Sequence, residues 1–232
     1  MSTDSPMVRL AGVSKRFTKG KETISIFDHL DLTIPRGDFV AMMGPSGSGK
    51  TTLLNLLGGI DHADEGEITI ADRRIDGMSE AELARFRAAN IGFIFQFYNL
   101  MPMLTAAQNV ELPLLLTNLR AKDRAKRVHT ALSVVNLADR VKHRPREMSG
   151  GQQQRVAIAR AIVSDPNLLL CDEPTGDLDR ASADEILGIL QLLNNDLGKT
   201  IVMVTHDPAA ARYARRTLHL DKGRFVEQEL AA

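Results

Sequence analysis

Hydrophobic and polar residues alternate along two stretches in the first third of the chain. These stretches are TISIFDHLDLTI at 23–34 and GEITIADRRI at 66–75, the second with a turn inside it. Because successive side chains of a strand point to opposite faces, this alternation predicts half-exposed strands of an antiparallel sheet.

Four shorter runs are almost wholly apolar: FVAMM at 39–43, IGFIF at 91–95, NLLLC at 167–171 and TIVMV at 200–204. Runs of this length and composition are typical of strands that are buried on both faces of a parallel sheet. Helical patterns lie between them. The sequence therefore predicts an α/β fold in which helices cover a parallel sheet.

The sequence contains signals for the N-termini of several helices. A Ser or Thr followed three residues later by Glu or Gln predicts a capping box, and the chain has four such pairs: Ser79–Glu82, Thr105–Gln108, Ser149–Gln152 and Ser182–Glu185. Asp207 and Pro208 predict an N-cap and a first helical residue. Near the end of the chain, LHLDKGRFVE at 218–227 predicts a hairpin that turns at 221–223.

Residues 97–163 show helical patterns and no run that predicts a strand. We therefore expect one domain over residues 1–232. In it, a helical subdomain at 97–163 is inserted into a core formed by residues 1–96 and 164–232.

The segment GPSGSGKT follows the strand FVAMM and precedes an apolar helix, which is the context required of a phosphate-binding loop. Its glycines let the backbone curl so that N–H groups surround a β-phosphate. Lys50 would place its charge on the β- and γ-phosphates, Thr51 would offer a hydroxyl to Mg²⁺, and Thr52 would bond the α-phosphate. The nucleotide-binding residues expected here are Gly44, Pro45, Ser46, Gly47, Ser48, Gly49, Lys50, Thr51 and Thr52.

Polar side chains follow three other apolar strands. Asp172 and Glu173 follow NLLLC, Gln96 follows IGFIF, and His206 comes just after TIVMV. Because ligands bind beyond the carboxyl ends of parallel strands, we expect these groups to converge at one edge. Asp172 would hold Mg²⁺ and Glu173 would take a proton from an attacking water. Gln96 would contact Mg²⁺ or that water, and His206 would reach the γ-phosphate.

A second anion-binding helix start is predicted in MSGGQQQRVAIARAI at 148–162, where a serine and two glycines precede an apolar helical pattern. If the helical subdomain stands away from the phosphate loop, Ser149, Gly150, Gly151 and Gln152 serve the nucleotide of a second copy. An ordinary helix cap is the alternative. We expect the adjacent glycines to bring no structural benefit, which favours the functional interpretation.

Charge and composition argue against a nucleic-acid binder, a disulfide-bonded protein and a membrane-spanning protein. Lys and Arg total 29, as do Asp and Glu, so the chain lacks the overall basic charge of nucleic-acid binders. The one cysteine, Cys171, excludes an internal disulfide and reads as a small apolar strand residue. The N-terminus has no signal pattern, and no apolar run reaches the ~20 residues of a membrane helix. We expect a cytoplasmic protein that reaches a membrane only through a partner.

Taken together, GPSGSGKT, Gln96, MSGGQ, LLLCDE, the loop PTGDLD at 174–179 and His206 resemble, in this order, an ATP-binding-cassette (ABC) ATPase over essentially the whole chain. The resemblance implies a P-loop NTPase core, an N-terminal antiparallel β-subdomain and an inserted α-helical subdomain. It also implies ATP, Mg²⁺ and a head-to-tail homodimer that forms on ATP binding. Asp179 matches the loop that crosses the interface of such dimers.

Two positions depart from the common family pattern. Phe17 falls where the family stacks an aromatic ring on adenine, and many members have Tyr there. Phe keeps the π-face and loses the hydroxyl. A core phenylalanine at a strand end is the alternative. Met148 replaces the usual leucine before Ser149, a substitution of similar volume.

Two segments, LGGID at 57–61 and FYNLMPMLTAAQNVELPLLL at 97–116, resemble the corresponding sequences of the lipoprotein-releasing and macrolide-exporter group. Members of that group pair with an integral-membrane permease that carries a large extracytoplasmic domain. The resemblance thus implies a peripheral location on the cytoplasmic face of the inner membrane, through the permease and without direct membrane insertion or nucleic-acid binding. The apolar residues after Gln96 predict a docking groove for that permease, or else packing between the two lobes; they are Phe97, Tyr98, Leu100, Met101, Met103 and Leu104.

Other classes of ATPase fit less well. A DNA-repair ATPase of the superfamily would need long coiled coils, and no heptad run of that length occurs. A translation factor would carry two cassettes, whereas this chain has one phosphate loop. An ATP-sensing regulator of a membrane complex, like the cell-division relative, stays open as an alternative to a transporter.

Overall fold

A computed structural model describes residues 5–20 and 22–226. Its strands are β1 (Val8–Lys19), β2 (Glu22–Ile34), β3 (Phe39–Met43), β4 (Glu65–Ile70), β5 (Arg73–Arg74), β6 (Ile91–Phe95), β7 (Leu168–Asp172), β8 (Thr200–Val204), β9 (Arg216–Asp221) and β10 (Arg224–Val226). Its α-helices are α1 (Lys50–Leu57), α2 (Glu80–Asn90), α3 (Ala106–Glu111), α4 (Ala121–Val134), α5 (Gly150–Ile162), α6 (Arg180–Asn195) and α7 (Pro208–Ala211). Short 3₁₀ turns cover Leu112–Leu116 and Pro145–Glu147.

The strands form two sheets. An antiparallel sheet of β1, β2, β4 and β5 has the order β2-β1-β4-β5, and the two alternating stretches of the sequence supply most of it. A six-stranded sheet has the order β10-β9-β3-β8-β7-β6 and is parallel except for β10. The α/β fold with a parallel sheet is therefore confirmed.

The apolar strands of the parallel sheet are apolar because both of their faces are covered. Within β3, Phe39 and Ala41 pack into a cluster with α3, α4, α5 and α6, whereas Val40 and Met42 pack toward α1 and the antiparallel sheet. Side chains of β7 and β8 divide between the same two clusters. Because successive strand residues face opposite sides, two cores favour apolar side chains at every interior position of the strand. The buried polar residue of β8, Thr200, stands at its first position and accepts a hydrogen bond from the Gly37 amide.

Between residues 97 and 163 the structure contains α3, α4, α5 and the two 3₁₀ turns, with no strand. α5 packs closely on the sheet, since a Cβ on Gly92 of β6 would lie 2.4 Å from the carbonyl oxygen of Ala161. The division into a core and an inserted subdomain stays a prediction. Over the described ranges, 5–20 and 22–226, no helix combines the length and the apolar character needed to cross a membrane.

Three of the four predicted capping boxes are confirmed, at Ser79, Thr105 and Ser149. Asp207 caps α7 by accepting a hydrogen bond from the Ala209 amide at 2.8 Å. The final hairpin turns at 222–223, as expected; Glu227, at the end of the predicted segment, lies outside the described residues.

The fourth predicted capping box, Ser182 with Glu185, is wrong. Helix α6 begins a turn earlier, at Arg180, and Asp179 is its N-cap. The Asp179 carboxylate accepts from the Ser182 amide at 3.0 Å and from the Ser182 hydroxyl at 2.7 Å. Because one carboxylate satisfies both donors, Ser182 serves as the third helical residue rather than as the cap.

Replacing Asp179 by alanine tests this helix start. Since an N-cap loss destabilises a helix, we expect the melting temperature to fall by roughly 2–4 °C. Glu185→Ala is the control, because Glu185 lies inside α6 and its contact with Arg155 is a loose 3.8 Å ion pair. Equal losses in both variants would contradict the start at Arg180.

The same cap has a defined pH dependence. Hydrogen bonds from Ser182 hold the pKa of Asp179 below its ordinary value of 3.8. The stability difference between the parent chain and Asp179→Ala is therefore full above pH 3.8, and it shrinks as the pH falls through the lowered pKa. Chemical denaturation at a series of pH values measures the difference.

Candidate active site

The loop at 44–51 joins β3 to α1 and exposes the start of that helix. Gly49 is the N-cap with a left-handed φ of 105°, and no side chain caps the helix. A Cβ on Gly49 would lie 2.9 Å from the Phe27 ring, so glycine is needed at this close approach. The free amides at the start of α1 therefore remain available to an anion.

Lys50 folds back over this loop. Its ammonium donates hydrogen bonds to the carbonyl oxygens of Gly44 and Pro45, each at 2.8 Å. The Ser48 hydroxyl is buried and has no hydrogen-bond partner among the described residues. A cleft of about 410 Å³ opens beside the loop. A chain of phosphates fits these features, because they combine free amides, a cation and an open volume.

The ends of β7 and β8 bring three polar side chains to the same cleft. Asp172 lies beside Thr51 of the cleft, whose hydroxyl lowers the pKa of the Asp172 carboxyl. Glu173 and His206 both line the cleft. Oε2 of the Glu173 carboxylate lies 2.7 Å from Nδ1 of the His206 ring. The expected convergence of strand ends thus holds for Asp172, Glu173 and His206.

The charges at this edge suit a divalent cation. Burial and the negative charge of Glu173 raise the pKa of Asp172, while the Thr51 hydroxyl and the charge of Lys50 lower it. Mg²⁺ takes one or two protein carboxylates together with substrate phosphates. Over residues 5–20 and 22–226, no three His, Cys, Asp or Glu side chains converge as a metal cage. That Thr51 and Asp172 are ligands of Mg²⁺ stays a prediction.

Gln96 does not line the cleft. Its side-chain amide donates to Asp177 Oδ1 at 3.2 Å and packs against Gly176, where a Cβ would lie 2.9 Å from Gln96 Nε2. The structure thus places Gln96 against the loop 174–179 that follows Glu173. A direct contact with the nucleotide or Mg²⁺ stays a prediction.

Phe17 is not a core residue, so that alternative is wrong. Its side chain is 44% exposed on β1 and pairs across the sheet with Ile24 of β2. The Lys15 ammonium lies 5.0 Å from the ring centroid, a cation–π contact. The exposed ring is free to stack on a flat aromatic base, and its contact with adenine stays a prediction.

The segment Ser149–Gln152 does not line the cleft of its own chain. The Ser149 hydroxyl accepts from the Gln152 amide at 3.3 Å, and the Gln152 side chain accepts from the Ser149 amide at 3.0 Å. Accepting a bond leaves the hydroxyl proton of Ser149 free to be donated elsewhere. Ser149 can therefore cap α5 and, at the same time, donate a hydrogen bond to a nucleotide held by a second copy of the chain.

The expectation that the glycine pair brings no structural benefit is wrong. A Cβ on Gly150 would lie 2.8 Å from the Tyr98 hydroxyl oxygen, and a Cβ on Gly151 would lie 3.0 Å from the Ser182 hydroxyl oxygen. A larger residue at either position would make the Tyr98 or the Ser182 side chain shift, whether or not the segment binds a phosphate. The glycines are consequently no argument for function by themselves.

Two functional candidates escaped the sequence analysis. Gln154 and Arg160 both lie on α5 and donate to backbone carbonyls of the segment around Gln96. Burial lowers the pKa of Arg160. A signal for Gln154 existed, because it is polar on the apolar stripe that continues with Ala157, Ile158 and Ala161.

Comparison with known proteins places this geometry in a family. The family described as ABC transporter matches residues 27–176. The uncharacterized ABC transporter ATP-binding protein YvrO of Bacillus subtilis (strain 168) is 46% identical over 223 residues, covering 96% of this chain and 97% of the relative. The macrolide export ATP-binding/permease protein MacB 1/2 of Paracoccus denitrificans is 46% identical over 97% of this chain, which corresponds to 33% of that larger protein.

The fold is also that of a solved cassette. The dimeric post-hydrolysis state of the ATP-binding cassette MJ0796 of Methanocaldococcus jannaschii, bound to ADP and Pi, superposes with a TM-score of 0.87. The two sequences are 42% identical, and the match covers 96% of this chain and 98% of the other. The P-loop fold and the resemblance to the macrolide exporters are thereby confirmed. The chain belongs to the ABC transporter family and is an ATP-binding, ATP-hydrolysing cassette.

Proposed function

We propose that this cassette drives an integral-membrane permease of the macrolide-export or lipoprotein-release type, from the cytoplasmic face of the cell membrane. The observation that carries the proposal is a set of exposed apolar side chains that follow Gln96 in sequence. Their exposed fractions are 70% for Phe97, 53% for Met101, 75% for Met103, 54% for Leu115 and 85% for Leu116. Exposed apolar surface of this kind marks a contact with a partner.

A groove of about 370 Å³ has one of these residues, Leu116, in its lining. Phe93 and Phe95 of β6, Pro113, Leu116 and Arg160 contribute to its lining. An apolar helix face fits such a groove, and Arg160 would favour a carbonyl or acidic group at the helix end. The name of the Paracoccus relative joins an ATP-binding and a permease part in one protein, which supports a permease as the partner. We propose, from the resemblance to the exporter group, that this permease carries an extracytoplasmic domain.

We assign ATP binding to the loop at 44–51, with Lys50 at the β- and γ-phosphates and Thr52 at the α-phosphate. Phe17 stacks on adenine. Thr51 and Asp172 hold Mg²⁺, with Gln96 as a further ligand; the bound ion would neutralise charge on the phosphates.

Glu173 is the general base in this proposal. It takes the proton of the attacking water, and His206 orients Glu173 through the 2.7 Å contact and faces the γ-phosphate.

We further propose that hydrolysis takes place in a head-to-tail homodimer that ATP closes. The Ser149–Gln152 segment of one chain then binds the nucleotide held by the phosphate loop of the other, with Asp179 at the same interface. The dimeric MJ0796 cassette bound to ADP and Pi supports this arrangement. The exposed position of Ser149 and Asp179 leaves both accessible to a second chain.

Glu173→Gln tests the general base. Because a general base accelerates a reaction about 10²- to 10⁴-fold, we expect turnover to fall by a factor in that range. ATP binding should be unchanged, and ATP-bound dimers should accumulate in size-exclusion chromatography. Glu185→Gln, an exposed glutamate on α6, is the control for the charge change. Near-normal turnover of Glu173→Gln would exclude this role.

Mixed dimers test the composite site. Ser149→Arg and Lys50→Ala chains should each be inactive alone. In a head-to-tail pair of one chain of each kind, one composite site carries both changes and the other carries neither. Steady-state hydrolysis should therefore reappear on mixing. Ser133→Arg, an exposed serine on α4, is the control for adding an arginine.

Losing the cap alone would cost Ser149→Arg about 0.5–2 kcal/mol of stability and leave its activity intact. Normal hydrolysis by Ser149→Arg alone would therefore reduce the segment to a helix cap.

Met101→Glu tests the docking surface. Met101 is the better probe than Tyr98, because the Tyr98 side chain packs against Gly150 and is only partly exposed. Burying a new charge at an apolar contact should abolish co-purification with the permease, and ATP binding should persist. Leu192→Glu on α6, where the leucine is 41% exposed, is the matched control. A complex retained by Met101→Glu would place docking elsewhere.

A further inference from the structure

Gln154 is a fully buried polar side chain on the apolar face of α5, with an exposed fraction of 0%. Its side-chain amide donates to the carbonyl oxygen of Phe95 at 3.1 Å and to that of Pro174 at 2.6 Å. Phe95 directly precedes Gln96, and Pro174 directly follows Glu173. One side chain therefore joins α5 to both segments that carry the proposed catalytic groups.

This position is costly for a glutamine. The amide oxygen of Gln154 is buried and accepts no hydrogen bond from any described residue. An unsatisfied buried acceptor destabilises the fold, whereas a methionine of similar shape would carry no such penalty. The two donated bonds are thus what a glutamine supplies here and an apolar residue cannot.

The contacts extend from Gln154 into the site. On one side, Gln96 is bonded to Asp177 in the loop that begins at Pro174. On the other, Glu173 contacts His206 and sits in the left-handed region at a φ of 47°. So unusual a backbone persists only where its surroundings hold it. The Glu173 amide donates to the Val204 carbonyl and the Glu173 carbonyl accepts from the Gly176 amide, both at 3.0 Å, and Gln154 adds a third bond at the next residue through the Pro174 carbonyl.

Arg160, about two turns further along α5, connects the helix a second time to the segment that follows Gln96. It donates to the carbonyl oxygens of Tyr98, at 2.7 Å, and of Asn99. These two residues also have left-handed φ angles, of 33° and 50°. Arg160 thus holds the segment after Gln96 but, unlike Gln154, makes no hydrogen bond to the loop after Glu173.

We propose that Gln154 is a positioning residue for ATP hydrolysis, which sets the segments of Gln96 and Glu173 relative to α5. The proposal rests on the roles assigned above to Gln96 and Glu173. Ser149 caps the start of α5. A nucleotide that is held by a second chain and contacts Ser149 is therefore connected, through α5 and Gln154, to the segments of Gln96 and Glu173. Gln154 itself lies out of contact with the cleft.

Gln154→Met tests the proposal, since it keeps the length of the side chain and removes both donated bonds. Because a misplacement of about 1 Å can cost 10²-fold in rate, we expect kcat to fall about 10- to 100-fold. KM and the dissociation constant for ATP should stay within about twofold, because the phosphate loop is untouched. Amide hydrogen exchange should become faster at 96–99 and 174–178.

Gln153→Met is the matched control. Gln153 is the adjacent glutamine of the same helix, and its amide donates to the Met148 carbonyl at 3.1 Å rather than to either catalytic segment. We expect its kcat and its exchange at 96–99 and 174–178 to equal those of the parent chain. A kcat for Gln154→Met within about twofold of the Gln153→Met value, measured well below both melting temperatures, would overturn the proposal.

Gln154→Asn is the second variant should the methionine chain fail to fold. Its amide ends one carbon short of the two carbonyls, so the same loss of kcat is expected, and normal turnover would refute the role.

Glu173→Gln separates the two proposals. If it is slow and Gln154→Met is normal, the positioning role alone is wrong. If it is normal and Gln154→Met is slow, the role of Glu173 is wrong and positioning acts through Gln96.

Discussion

Burial of both faces of the parallel sheet confines the chemistry of this protein to the ends of its strands. β3, β7 and β8 give alternate side chains to two separate cores, so a polar group inside them would lose its hydration on either side. The first positions where the chain regains access to polar partners are those just beyond the strands. Asp172 is the last residue of β7, and Glu173 and His206 come just after β7 and β8. The shared direction of the strands brings them to the edge where Thr51 lies, in the first turn of α1 after the loop from β3.

Helix α5 connects this edge to the remainder of the helical segment. Its first turn contacts Tyr98 and Ser182 through Gly150 and Gly151, its middle reaches Phe95 and Pro174 through Gln154, and its last turn holds the backbone near Tyr98 through Arg160. Each contact ends on backbone or on a group close to the site. The helix is thereby fixed along its full length to α6 and to the segments that follow β6 and β7, rather than only at its capped start.

Much of this could be predicted from the sequence, because the signals were local. Apolar runs, strand alternation and the glycine-rich loop are determined by neighbours within a few residues. They located α1, the convergent strand ends and most strands of the two sheets, although not β1. The start of α6 was missed although its signal was local too: Asp179 and Ser182 both fit a cap, and only the geometry shows the carboxylate accepting both bonds.

The remaining features depend on partners distant in sequence. The direction of the Gln96 side chain is decided by Asp177 and Gly176, about 80 residues away. The need for Gly150 depends on Tyr98, and the role of Gln154 depends on two carbonyls from different strand ends. No pattern within α5 specifies these partners, since packing of separate elements creates them.

The same double burial has a consequence for the chain's one thiol. Cys171 lies inside β7 with no exposed surface, and burial together with the charge of Asp172 raises the pKa of its thiol well above the ordinary value. Its sulfur is neither ionised nor accessible while β7 stays paired with β6 and β8. An alkylating reagent can therefore reach it only when the centre of the sheet opens. The protein thus carries an intrinsic reporter of sheet opening, adjacent to the residue that would hold its metal ion.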